Sequence, residues 1–200
     1  MNTLVKNEVV KNNLLKYSTK NYLSNANSME DCEAMFNSYI GKSTDTGHNE
    51  EIKHLFSTLK NLQPGYSIPD VELLNYKNET TSLSKVTDKP TVIFFWTKAI
   101  KNHFINSHKK VERLKQEYPD INFISINVNS NSYPIWKRHL LQHNIPLENE
   151  YRFRNPNFAK KALAIHYINK VMVVGKDKLI ISSNASLFTK DFKLLLNEIQ

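Results

Sequence analysis

The stretch that most constrains this fold is Thr91 to Trp96, TVIFFW, an uninterrupted apolar run that begins just after Pro90. Such a run suits a central strand buried on both faces, because a strand with one wet face would alternate apolar with polar residues. Beyond Trp96 the period changes. Lys98 to Tyr118 reads as a long helix closed by Pro119, and Asn122 to Val128, NFISINV, as a second central strand. Ser132, with Pro134 just inside, opens another helix running to about His143, and Asn155 with Pro156 repeats that start signal for a helix through Leu163. Lys170 to Val174 and Lys178 to Ser182 form an antiparallel hairpin across the tight turn at Gly175 to Asp177. Thr189 can cap a final helix, Asp191 to Ile199. With Val71 to Leu74 and Thr80 to Leu83 as short flanking strands, strands alternate with helices, which argues for an α/β domain.

The residues before Gly65 carry no strand pattern. Leu4, Val5, Val9, Val10, Leu14, Leu15 and Tyr17 recur at three and four, predicting an amphipathic first helix. Ser28 followed by Asp31 opens a second helix in capping-box style, with Cys32, Met35, Phe36 and Tyr39 on its apolar stripe and Gly41 near its end. The stretch STDTGHN reads as a turn, and Glu50 to Leu62 as a third helix through Ile52, Leu55, Phe56 and Leu59. Gln63, Pro64 and Gly65 then break the pattern. The division falls there, between an all-helical N-terminal segment, residues 1–62, and an α/β domain, residues 63–200.

Charge and cysteine usage narrow the function classes. The chain has 27 Lys+Arg against 19 Asp+Glu, a formal +8. The lysines are spread through every segment, and the only arginines are Arg113, Arg138, Arg152 and Arg154. Scattered charge of this kind reads as solvated basic faces, so no nucleic-acid partner is expected. No apolar run approaches the roughly 18 residues needed to span a bilayer. The opening MNTLVKNEVVKNNLL lacks the unbroken apolar stretch of a secretory signal, so no signal peptide is expected in this chain. A single cysteine, Cys32, excludes an internal disulfide, a Cys-x-x-Cys pair and a multi-cysteine zinc site.

In order and wording, the pieces LQPGYSIPDVEL, SLSKVTDKPTVIFFWT, NFISINV and INKVMVVGKDKLII resemble the thioredoxin-like superfamily. They are most similar to its TlpA/ResA/AhpC-TSA group of bacterial envelope thioredoxins, and the resemblance covers about Leu62 to Gln200. It implies a thioredoxin-like fold, a central mixed sheet flanked by helices, behind the helical preface. The preface also looks like the region ahead of the thioredoxin domain in larger members. That suggests a C-terminal portion of a longer exported protein, or a paralogue without its exporting front end. Active members place Cys-x-x-Cys directly after the tryptophan that matches Trp96, where a helix N-terminus lowers the thiol pKa. Here Thr97 stands at the attacking position and Ile100 at the resolving one, with Lys98 and Ala99 between them. A hydroxyl stays protonated at neutral pH and an isoleucine carries no nucleophile, so neither exchanges a disulfide. The cis-proline that faces the active site in the family falls on Asn169, in Tyr167-Ile168-Asn169-Lys170, where an ordinary trans peptide is expected.

The resemblance therefore points to a redox-inactive thioredoxin-like domain, a binding or structural module of a bacterial cell-envelope or periplasmic protein, with a protein or peptide partner in the groove. Trp96, Thr97, Lys98, Lys101 and Asn169 would line that groove. The matching tryptophan is partly exposed in the family, and Lys98 and Lys101 oppose the dipole of the helix they begin, which would favour an acidic ligand. The alternative is a thiol-disulfide oxidoreductase relative with residual or altered chemistry, working through Cys32 or through non-thiol groups in the groove. Cys32, on an apolar helix stripe, reads as a buried hydrophobe. His139 and His143, at i and i+4, could bind zinc, but with no intervening Glu and no third ligand they read as solvated helix histidines, and His103 and His108 as surface or partly buried ones. No metal and no cofactor is called for. Phe94, Phe95, Phe104, Phe123, Phe158, Phe188 and Phe192 read as core, and the sequons at Asn78 and Asn184 as chance matches in an Asn-rich chain.

Overall fold

In a computed structural model of the protein, residues 6–26, 28–129 and 132–200 are described. The chain divides into two compact units, Met1–Asn61 and Leu62–Gln200. The first holds α1 (Glu8–Asn25), α2 (Met29–Ile40) and α3 (Thr46–Lys60), packed pairwise. Each starts on a polar side chain that accepts an orphan N–H: Asn7 from Val10, Ser28 from Asp31 and Asp45 from His48. The Asp45 cap starts α3 inside the STDTGHN stretch, ahead of the expected Glu50. Cys32 and Tyr39 are buried with Ile52, Leu55 and Phe56, and the Phe36 and Phe56 rings stack at 4.3 Å.

The face of α1 differs from expectation. Leu15 is buried, whereas Val9, Val10, Leu14 and Tyr17 are exposed, and Leu4 and Val5 lie outside the described residues. The inward stripe is Lys11, Asn12, Leu15, Thr19 and Leu23. Asn12 explains the choice: its amide donates to Thr44 Oγ1 at 3.0 Å and its carbonyl accepts from Thr44 N at 3.1 Å, tying the α2–α3 loop to α1. A buried amide with both ends satisfied holds a face that apolar periodicity alone would assign elsewhere.

The second unit is built on a seven-stranded sheet in the order β2-β1-β5-β4-β3-β6-β7. These strands are β1 (Glu72–Leu74), β2 (Thr80–Ser82), β3 (Thr91–Trp96), β4 (Asn122–Asn127), β5 (Glu150–Phe153), β6 (Val171–Val174) and β7 (Ile180–Ala185). β3, β4 and β5 run parallel, while β6, β7, β1 and β2 join antiparallel, so the sheet is mixed. Every residue of β3 is buried, as its unbroken apolar run requires. The helices are α4 (Leu83–Val86), α5 (Lys101–Glu117), α6 (Tyr133–Gln142), α7 (Pro156–Ala162) and α8 (Phe192–Ile199). Val92, Phe94 and Phe123 on one sheet face pack with Val111 and Leu114 of α5 and Phe192 and Leu196 of α8. Among the described residues no helix is long and apolar enough to cross a membrane.

Sequence pattern misses β5 and the short α4. β5 reads EYRF, and its buried Glu150 and half-buried Arg152 hide it from a hydrophobicity pattern. Phe158 and Phe188, expected in the core, are exposed, while the other phenylalanines expected there are buried. α7 turns Ala159 inward instead of Phe158.

Candidate functional site

The end of β3 delivers Trp96 and Thr97 to the edge of the sheet, and a turn closed by Ile100 N donating to Thr97 O at 3.3 Å leads into α5. The helix therefore begins at Lys101, not at Lys98 as its sequence suggests, and Ile100 is a cap position with no side-chain hydrogen bond. β6 is antiparallel to β3, with Phe94 opposite Val171. Continuing that register sets Asn169 level with Trp96, so Thr97, Ile100 and Asn169 gather at one end of the same strand pair. Asn169 lies in an exposed turn, and among the described residues no peptide bond is cis.

The residues expected to line a groove differ sharply in exposure. Lys98, Ile100, Lys101 and Asn169 are exposed, and Thr97 is buried. Trp96 corrects the expectation of partial exposure: it is fully buried, packed with Phe104, Trp136 and Leu140. Its indole N–H donates to Ser125 Oγ at 3.1 Å. Thr97 Oγ1 accepts from Asn129 Nδ2 at 2.6 Å and from Ala99 N at 3.3 Å, so the hydroxyl is already committed as an acceptor.

Behind Trp96 lies a polar network that sequence pattern does not reveal. Ser125 donates to a Glu150 carboxylate oxygen, His108 Nε2 lies 3.1 Å from the other, and His108 Nδ1 lies 2.7 Å from Phe104 O. All three side chains are buried, so they are satisfied by one another and not by water. The one signal in the sequence is a lone serine inside the apolar NFISINV strand.

His139 is also buried, against the expectation of a solvated helix histidine. Its ring stacks on Trp96 at 5.7 Å and lies 4.7 Å from Phe104 and 4.6 Å from His143. His143 Nδ1 pairs with His139 O at 2.9 Å, and His139 Nε2 has no hydrogen-bond partner. Burial, then His143, Lys98, His108 and Lys101, hold the His139 pKa below the usual imidazole value. Burial and His108 do the same to His103. Among the described residues no group of three or more His, Cys, Asp or Glu is placed to hold a metal ion.

Lys170, next to Asn169, reads in the sequence only as a strand residue. It is buried, and its ammonium donates to Leu163 O at 2.8 Å and Ala164 O at 3.3 Å, capping the carbonyl end of α7. Burial still pulls its pKa down to about 8. Cys32, in the other unit, is a buried free thiol whose Sγ lies 3.8 Å from Leu23 O, and burial raises its pKa.

No family model matches the sequence, and no curated protein sequence matches it either. Solved structures do. A provisionally assigned thiol-disulfide oxidoreductase from Bacteroides vulgatus matches with a TM-score of 0.62 at 24% identity, over 70% of this chain and 99% of that one. A domain of a provisionally assigned thiol-disulfide isomerase from Cytophaga hutchinsonii matches with a TM-score of 0.57 at 18% identity, over 68% and 94%. The exposed lipoprotein thioredoxin of Streptococcus pneumoniae matches with a TM-score of 0.51 at 16% identity, over 65% and 99%. The mixed sheet and its flanking helices thus have the thioredoxin-like fold.

Proposed function

We propose that the chain is a redox-inactive thioredoxin-like domain of the TlpA kind, a binding module in a bacterial cell-envelope or periplasmic protein, with residues 63–200 as the functional domain. One observation carries this reading. The positions at which a thiol-disulfide exchanger needs two sulfurs are Thr97 and Ile100, and the chain's one thiol, Cys32, is buried in the other unit. Thiol exchange needs an accessible thiolate, and burial disfavours that form. The Thr97 hydroxyl is no substitute: it remains protonated at neutral pH, and among the described residues no base is paired with it. An envelope setting is supported by the bacterial neighbours, one of them described as an exposed lipoprotein. What the site keeps is a surface. Exposed Lys98, Ile100, Lys101 and Asn169 surround a rigidly held Trp96–Thr97 strand end, which suits capture of a protein or peptide.

The test is insulin reduction in dithiothreitol. The expected rate equals that of dithiothreitol alone, and acceleration in proportion to the added chain would overturn the reading.

A further inference from the structure

We propose that His108 and Glu150 form a buried proton-binding site, a pair that takes up one proton when the chain folds at neutral pH and holds it between α5 and β5. The inference goes beyond the binding reading above and does not depend on it.

The hydrogen-bond count at the pair requires that proton. His108 presents each ring nitrogen to an oxygen: Nδ1 lies 2.7 Å from Phe104 O and Nε2 lies 3.1 Å from Glu150 Oε1. A backbone carbonyl only accepts, so the first contact places a proton on Nδ1. The second contact needs a proton of its own, since a bare ring nitrogen against a carboxylate oxygen sets two lone pairs face to face. Ser125 does not supply it. Its Oγ accepts from the Trp96 indole N–H and donates to the other Glu150 oxygen, and His108 Nε2 stands 3.5 Å away, at the limit of a hydrogen bond. A neutral imidazole carries one N–H and the two contacts use two protons. The pair therefore holds one proton more than a neutral histidine beside an ionised glutamate. Whether that proton sits on Nε2 or on Oε1, the pair is neutral overall.

Burial gives the proton its weight. Both side chains are 6% exposed, and the rings of Phe94, Trp96 and Phe104 pack on the imidazole at 5.1, 6.0 and 4.5 Å. The cavity beside the pair measures about 10 Å³, close to the least that admits one water molecule. Losing the proton would strand a carboxylate charge in these surroundings, which is costly. The neighbouring groups do not replace it. β3 and β4 carry no titratable side chain. On α5, Glu112 and Lys115 pair with each other at 2.8 Å, and His103, like His139 of α6, is held below the usual imidazole value, chiefly by burial. Glu148, ahead of β5, is exposed, and the Tyr151 phenol on β5 has its pKa raised, first by burial. None of these brings a compensating positive charge to Glu150 at neutral pH.

Glu150→Gln tests this, because an amide reproduces the bonding without the extra proton: its NH₂ donates to Nε2 of a neutral imidazole and its carbonyl accepts from Ser125. Above about pH 5 the two unfolded chains bind the same protons at these positions, so the folded unmutated protein binds one more than the folded variant. A folded state that binds the extra proton loses stability as pH rises. Urea unfolding at pH 6, 7 and 8 should show the folding constant of the unmutated protein, divided by that of the variant, falling about tenfold per pH unit and about a hundredfold in all. A ratio that stays constant overturns the proposal. Where the variant fails to fold, imidazole nitrogen and carboxyl carbon NMR shifts of the unmutated protein at pH 7.5 decide. Imidazolium beside an ionised carboxylate, or an Nδ1–H imidazole beside a protonated carboxyl, supports the site, and a neutral imidazole beside an ionised carboxylate overturns it. Either failure leaves the redox-inactive reading standing, since only insulin turnover bears on that.

Discussion

Lys170→Met separates the electrostatic cost of a buried ammonium from the hydrogen bonds that partly offset it. The lysine pKa falls from its ordinary 10.5 to about 8, through burial. That difference corresponds to about 3 kcal/mol of stability, at 1.36 kcal/mol for each tenfold change in proton affinity. Below pH 8 the side chain is charged in both folded and unfolded states, and the whole cost is felt. Between pH 8 and 10.5 the folded lysine sheds its proton while the unfolded one keeps it. The unfolded state then binds more protons, and stability contributed by this residue rises with pH. Urea unfolding at intervals from pH 7 to pH 10.5 reads this as a difference between native protein and variant, in which Tyr151, whose pKa burial raises, cancels. The native protein should gain about 3 kcal/mol on the variant across that window. The neutral-pH intercept is a separate quantity: methionine removes the burial cost but strands Leu163 O and Ala164 O, at about 1–3 kcal/mol each if water does not reach them. A difference that stays flat with pH would refute the assignment of Lys170 as a buried, depressed lysine.

Glu150→Ala should destabilise the protein by about 3 kcal/mol, because it leaves His108 Nε2 and Ser125 Oγ buried without their acceptor. A double-mutant cycle with His108→Leu should show coupling of about 1 kcal/mol or more, and additive effects would deny that the two side chains form one network. Cys32 should resist alkylation in the native protein by at least about a hundredfold relative to the chain in urea. Native labelling at the unfolded rate would place the thiol at the surface and reopen the single-cysteine oxidoreductase alternative.

Legibility in the sequence tracks burial symmetry. β3, covered on both faces, appears as an unbroken apolar run, β4 as an apolar strand broken by Ser125, and the β6–β7 hairpin is announced by its Gly175–Asp177 turn. β5 is hidden because its first residue is a buried glutamate, satisfied by partners 25 and 42 residues away in the chain. No local window contains that information. The same reason explains α1, whose inward face is set by Asn12 reaching Thr44, 32 residues on. At the site, the order of Thr97 and Ile100 after β3 could be read directly from the chain, whereas the level of Asn169 beside Trp96 rests on the β3–β6 register. Which of the groove residues face water could not be read, because the burial of Trp96 depends on Ser125, Phe104 and His139, on three other elements.

Burial of Trp96 also bears on the turn that follows it. The indole is tied to Ser125, Ser125 to Glu150, and Glu150 to His108 on α5, so the end of β3 and the helix after it are joined by polar contacts as well as by packing. α5 itself begins after Ile100 with no side-chain cap and no acid in its first turn, and Lys98 and Lys101 beside that end are exposed.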